Sequence, residues 1–111
     1  YWEAGERKGF VEVKGVTLEV DGHAYFPDAP TERGVKHLRG LADCLEEGYE
    51  AAVCFVIQME DISAFSPNDT THPAFGEALR EVQAAGVQII AMECQVAPGT
   101  VAITKPVELR L

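Results

Sequence analysis

Two residues in the run FVEVKGVTLEV (Phe10 to Val20) carry opposite charge at a telling spacing, Glu12 and Lys14. The run is rich in Val, Leu and Phe and is expected to be extended. Side chains at i and i+2 of a strand project from the same face. The pair is therefore either an exposed ion pair or a polar centre set against a core, where charge is costly. The second case has a chemistry. Hard carboxylate oxygens suit Mg²⁺, a bound divalent ion activates water and stabilises the leaving oxygen of a phosphodiester, and a lysine beside it orients that water or offsets developing charge.

A second group lies in FPDAPTERGVKHLRGL. At ~100° per residue, Arg33, Lys36, His37 and Gly40 share one helical face, opposite Val35, Leu38 and Ala42. Basic side chains beside a glycine that permits close approach suit a phosphate backbone, though a solvated helix face has the same composition. Gln58 ends an apolar strand, where functional groups often sit in open α/β sheets, and a structural amide would sit there equally well. His23 follows a turn and is expected to be exposed. His72 precedes Pro73 and is expected to help a helix start. No Cys/His spacing supports zinc, and neither phosphate-loop glycine pattern nor nucleophile elbow occurs.

The elements that must position these residues follow from local pattern. Asp21-Gly22 between VTLEV and HAYF predicts a tight hairpin. Thr31 is the expected N-cap of a helix whose apolar residues Val35, Leu38, Leu41, Ala42 and Leu45 recur at helical spacing, with Gly48 as its stop. Ala51 to Gln58 is a continuous apolar run, as in a strand covered on both faces. SPNDTTHP is expected to be loop. Pro73 opens a second helix carrying Phe75, Ala78, Leu79 and Val82 and ending at Gly86. VQIIAMEC is a further strand, and Pro98-Gly99 turns the chain into a short last strand, TVAIT. The order β-β(-β)-α-β-α-β-β predicts an α/β fold, with a mixed sheet, an antiparallel opening hairpin and flanking helices.

Length and composition set limits. The 111 residues suit one domain with a modest core. No apolar run approaches the ~20 residues that span a bilayer, and no signal-peptide pattern opens the chain. The chain begins at Tyr1 and is expected to be part of a longer protein. The three cysteines, Cys44, Cys54 and Cys94, are expected as buried reduced thiols of a cytoplasmic protein. Net charge is −9, from 18 acids against 9 Lys and Arg. Such a chain repels a polyanion at long range, so nucleic-acid binding must rest on a local basic patch or on a further region.

Taken together and in order, VEVKGVTL, FPDAPTERGVKHL, FVIQMEDISAFSPND and ALREVQAAGVQIIA resemble the carboxy-terminal, restriction-endonuclease-like domain of the sugar fermentation stimulation protein A family. The resemblance covers nearly the whole chain. It implies a bacterial or archaeal DNA-binding protein linked to the regulation of sugar (maltose-type) metabolism. It also implies an amino-terminal OB-type barrel outside this chain, which would carry the main DNA surface.

By the same resemblance, Glu12 and Lys14 match the E-x-K of a nuclease site, and Asp28, Arg33 and His37 match the polar positions of the FPDA segment. The alternative function is then a Mg²⁺- or Mn²⁺-dependent nuclease. Its upstream Asp is absent here, since YWEAGERKGF offers only Glu3 and Glu6 in an expected turn. No metal is expected in this fragment alone. Gln58-Met59 stands where the family tends to have Gln-Arg, and His72-Pro73 where it tends to have an acid before Pro. A protein-interaction role for the acidic surface is a third reading.

Overall fold

In the computed structural model the residues described are 2–4, 7–59, 61–97 and 100–111, with side chains over 9–59, 61–94 and 105–111. The chain opens with strands β1 (Trp2–Ala4) and β2 (Arg7–Val16), then β3 (Leu18–Val20) and β4 (His23–Phe26). Helix α1 (Glu32–Glu46) leads to β5 (Glu50–Ile57) and β6 (Ala64–Pro67). Helix α2 (Pro73–Ala85) leads to β7 (Gln88–Ala97), β8 (Thr100–Pro106) and β9 (Glu108–Leu109).

Local chemistry explains most boundaries. Asp21 and Gly22 both have positive φ (50° and 81°), the conformation of the tight turn that joins β3 to β4. Thr31 Oγ1 accepts the Gly34 N–H at 3.0 Å and caps α1. Pro73 stands in the first turn of α2, where its missing N–H costs nothing. His72 does help organise a helix start, but that of α1: its Nδ1 accepts the Thr31 N–H at 3.0 Å.

The strands form two sheets rather than one. The first has the order β1-β2-β5-β7-β8, with β2, β5 and β7 parallel and both edge strands antiparallel. The second has the order β3-β4-β6-β9, and β4, β6 and β9 are parallel. The break falls at Thr17, between β2 and the hairpin. β6 lies partly in the segment expected to be loop, and β9 follows the strand expected to be last. Glu3, placed in a turn by sequence, pairs with Lys8 in the β1–β2 ladder. Glu6 and the Pro98-Gly99 turn lie outside the described residues.

A single core spans both sheets and both helices. Val53, Phe55 and Ile57 of β5 and Ile89 and Ala91 of β7 supply the first sheet's inner face, under Leu38 and Leu41 of α1 and Phe75 and Leu79 of α2. The aromatic rings tie the layers together. Phe55 stacks on Phe65 of β6 at 4.4 Å and meets Phe26 of β4 at 5.5 Å, while Phe26 meets Phe75 of α2 at 5.2 Å. Offset and edge contacts of this kind add roughly 0.5–1.5 kcal/mol each beyond area burial. The one buried charged residue among those described is Glu93, whose Oε1 accepts the Ile62 N–H at 2.8 Å and approaches Lys105 at 3.7 Å. On the opposite face of the first sheet, Val11 and Val13 of β2 are open to solvent. No helix among the described residues is long and apolar enough to cross a membrane.

Candidate phosphate-binding groove

Strand β2 alternates as its pattern requires. Phe10, Glu12, Lys14 and Val16 face inward, beside Ala51, Val53, Phe55 and Ile57 of β5 in parallel register. Glu12 and Lys14 therefore share the face that α1 covers, and Lys14 is only 14% exposed. The two side chains pair at 3.2 Å. A lysine this buried is tolerated only with partners.

Its second partner comes from α1. Lys14 Nζ lies 2.8 Å from His37 Nδ1, and the same Nδ1 lies 3.2 Å from Glu12 Oε1. Sequence projection put His37 on the basic helix face with Arg33 and Lys36. The structure places it at the edge of that face, turned down onto β2. Beside this trio runs an open groove of about 360 Å³ lined by Phe10, Glu12, Lys36, His37, Gly40 and Cys44. A Cβ added at Gly40 would meet nothing within 4 Å, so the missing side chain leaves the groove open.

The other candidates stand apart from it. Arg33 is exposed on α1, outside the groove lining. Asp28 is exposed beyond β4, with Thr17 Oγ1 at 3.5 Å from its carboxylate. Gln58 is exposed just past the end of β5. His23, expected at the surface, is half-buried, bonded to Ser66 Oγ at 2.7 Å and stacked on Tyr25 at 4.6 Å. All three cysteines are free; Cys94 is buried, whereas Cys44 and Cys54 are half-buried rather than sealed in. Burial, and then the neighbouring Cys94, pushes the Cys54 thiol up; burial, and then Glu93, pushes Cys94 up. Sequence reasoning missed the His37–Lys14 contact. A histidine at the margin of an apolar stripe, across from a charged strand residue, was the available signal.

The donor set does not by itself fit a divalent cation. No group of three or more His, Cys, Asp or Glu side chains that could hold a metal occurs among the described residues. Glu12 is the groove's one described carboxylate and already faces Lys14. Mg²⁺ and Ca²⁺ sites take more oxygen ligands than that. What the arrangement offers is N–H donors from Lys36 and His37 along an open helix face, with Lys14 bonded to His37.

Comparison with known proteins agrees with the fold. The family model described as the sugar fermentation stimulation protein RE domain matches residues 1–100. A sugar fermentation stimulation protein homolog of Desulfitobacterium hafniense (strain Y51) is 62% identical over 96 residues, 86% of this chain and 42% of the relative. The homolog of Ruminiclostridium cellulolyticum is 53% identical over 111 residues, all of this chain and 49% of the relative. The solved structure of Pyrococcus furiosus SfsA in complex with Ca²⁺ superposes with a TM-score of 0.85 at 28% identity, covering 93% of this chain and 45% of that one. The chain thus spans about half the length of the relatives it matches. With its two helices and mixed, restriction-endonuclease-like sheet, it belongs to the sugar fermentation stimulation protein family.

Proposed function

We propose that this domain binds DNA through the groove between β2 and α1, as the nuclease-like half of a cytoplasmic protein that regulates sugar use. One observation carries the reading: Lys36 and His37 line an open groove, and Lys14 is bonded to His37 beside it. In a chain of net charge −9, this basic cluster is where a phosphate backbone could approach. Arg33, one turn before Lys36, would extend the contact along the strand. An amino-terminal OB-type domain in the longer protein would supply further affinity.

The test is fluorescence anisotropy with a labelled DNA duplex, on the chain and on the longer family protein. Lys36→Glu and Arg33→Glu are expected to weaken binding on all sequences alike and to lower the salt slope by about 1 or more per charge removed. Gly40→Gln puts bulk beside the groove from a position where an added Cβ meets nothing within 4 Å, so it should weaken binding sharply while leaving the fold intact. Unchanged binding in all three variants would refute the groove.

The Ca²⁺ complex of the Pyrococcus furiosus relative favours a second reading, metal-dependent cleavage of the same ligand. Glu12 would supply one carboxylate, and the others must come from outside the described residues. Calorimetry with Mn²⁺ separates the two readings. Binding by the longer protein that is lost in Glu12→Ala supports the metal centre, whereas no binding by the longer protein refutes it.

A further inference from the structure

We infer that His37 is the residue that positions Lys14, and that it does so as a neutral imidazole with its proton on Nε2. A lysine ammonium carries three donors and no acceptor. At 2.8 Å from Lys14 Nζ, the His37 Nδ1 must present a lone pair, because two N–H groups cannot face each other at that distance. The imidazole proton is therefore on Nε2, at the other edge of the ring.

The 3.2 Å between Nδ1 and Glu12 Oε1 then has a simple cause: both are acceptors gathered by one ammonium. Lys14 is held from its own strand and from a helix residue 23 positions away. Two acceptors fix a side chain that otherwise keeps many rotamers. A single surface ion pair to Glu12 would not do so.

The consequence deepens the phosphate reading and rests on it. Two of the ammonium's three N–H groups are engaged by Glu12 and His37. Beside it, His37 and Lys36 line the groove and bring an imidazole N–H and an ammonium to one wall. Donors gathered on one wall suit a tetrahedral oxyanion, the chemical class of a phosphodiester. Here His37 both aims Lys14 and contributes a donor. Cys44 is the other titratable side chain of the groove lining besides Lys36, and Glu12 is its one carboxylate.

Competitive acetylation of the folded chain with acetic anhydride, read by mass spectrometry against exposed Lys36, tests the positioning. His37→Ala should raise Lys14 reactivity roughly tenfold, the worth of one hydrogen bond to a charged group. His37→Asn, whose amide oxygen can stand where Nδ1 stands, should return it close to the native ratio. An unchanged ratio in His37→Ala, or no restoration by Asn, overturns the assignment. Long-range proton–nitrogen NMR gives an independent arm if His37→Ala fails to fold. His37 should carry its proton on Nε2 in the native chain and shift it to Nδ1, facing Glu12, in Lys14→Met. A native Nδ1–H tautomer, or no change on removing Lys14, would sink the inference. Neither arm uses DNA, so loss of the DNA reading would leave the positioning role standing, and the converse also holds.

Discussion

At the scale of single residues, the question is what makes charge affordable against a core. Lys14 is nearly enclosed, and an exposed salt bridge is worth at most ~1 kcal/mol. Removing one partner of an enclosed pair costs several times more, because the remaining charge is left desolvated. Glu12 is a third exposed and His37 still partners Lys14, so Glu12→Ala should destabilise the chain by about 1–2 kcal/mol. The double variant with Lys14→Met should recover part of that loss in urea denaturation. Cys54 and Cys94 behave oppositely, since burial favours their neutral form. The folded thiols hold their protons better than unfolded ones do. Their contribution is present below the usual thiol range, about pH 8.5, and is lost as pH rises above it. The urea midpoint should fall between about pH 8 and 10, and Cys94→Ala should flatten that fall. Thiol titration at neutral pH should find Cys94 unreactive until the chain unfolds.

At the scale of elements, α1 shows how one helix serves two purposes. Its inner face is cut close by Gly34, where an added Cβ would lie 3.0 Å from the Thr31 side chain and 3.2 Å from the Phe75 ring. Its outer face is left open by Gly40. The same substitution at the two sites should therefore have opposite signs. Gly34→Ala gains about 1 kcal/mol of helix propensity but meets overpacking of about 1–3 kcal/mol and disturbs the Thr31 cap, so a net loss is expected. Gly40→Ala should raise stability by about 0.5–1 kcal/mol, since nothing opposes it. Denaturation midpoints of the two variants check both signs. The helix itself was legible in the sequence, because its cap, apolar stripe and stop are local signals. β6 was not: AFSP is four residues, ends in Pro and shows no alternation, and parallel pairing to β4 on one side and β9 on the other is what makes it a strand.

At the scale of the whole molecule, Phe55 is the joint of the core, touching β4, β6 and α2 through aromatic rings. Phe55→Ala should cost about 3–5 kcal/mol, a large share of the 5–15 kcal/mol typical of a domain, and calorimetry should show a much lower Tm. The sequence by itself determined both helices, the β3–β4 hairpin, the α/β class and the shared face of Glu12 and Lys14, because turn chemistry, caps and side-chain period act within a few residues. Only the tertiary structure decided that the strands part into two sheets at Thr17, that His72 holds the start of α1, and that His37 closes on Lys14. Each of these joins residues far apart in the chain or distributes strands among partners. Such choices are settled by packing around a common core, which leaves no periodic trace in the sequence.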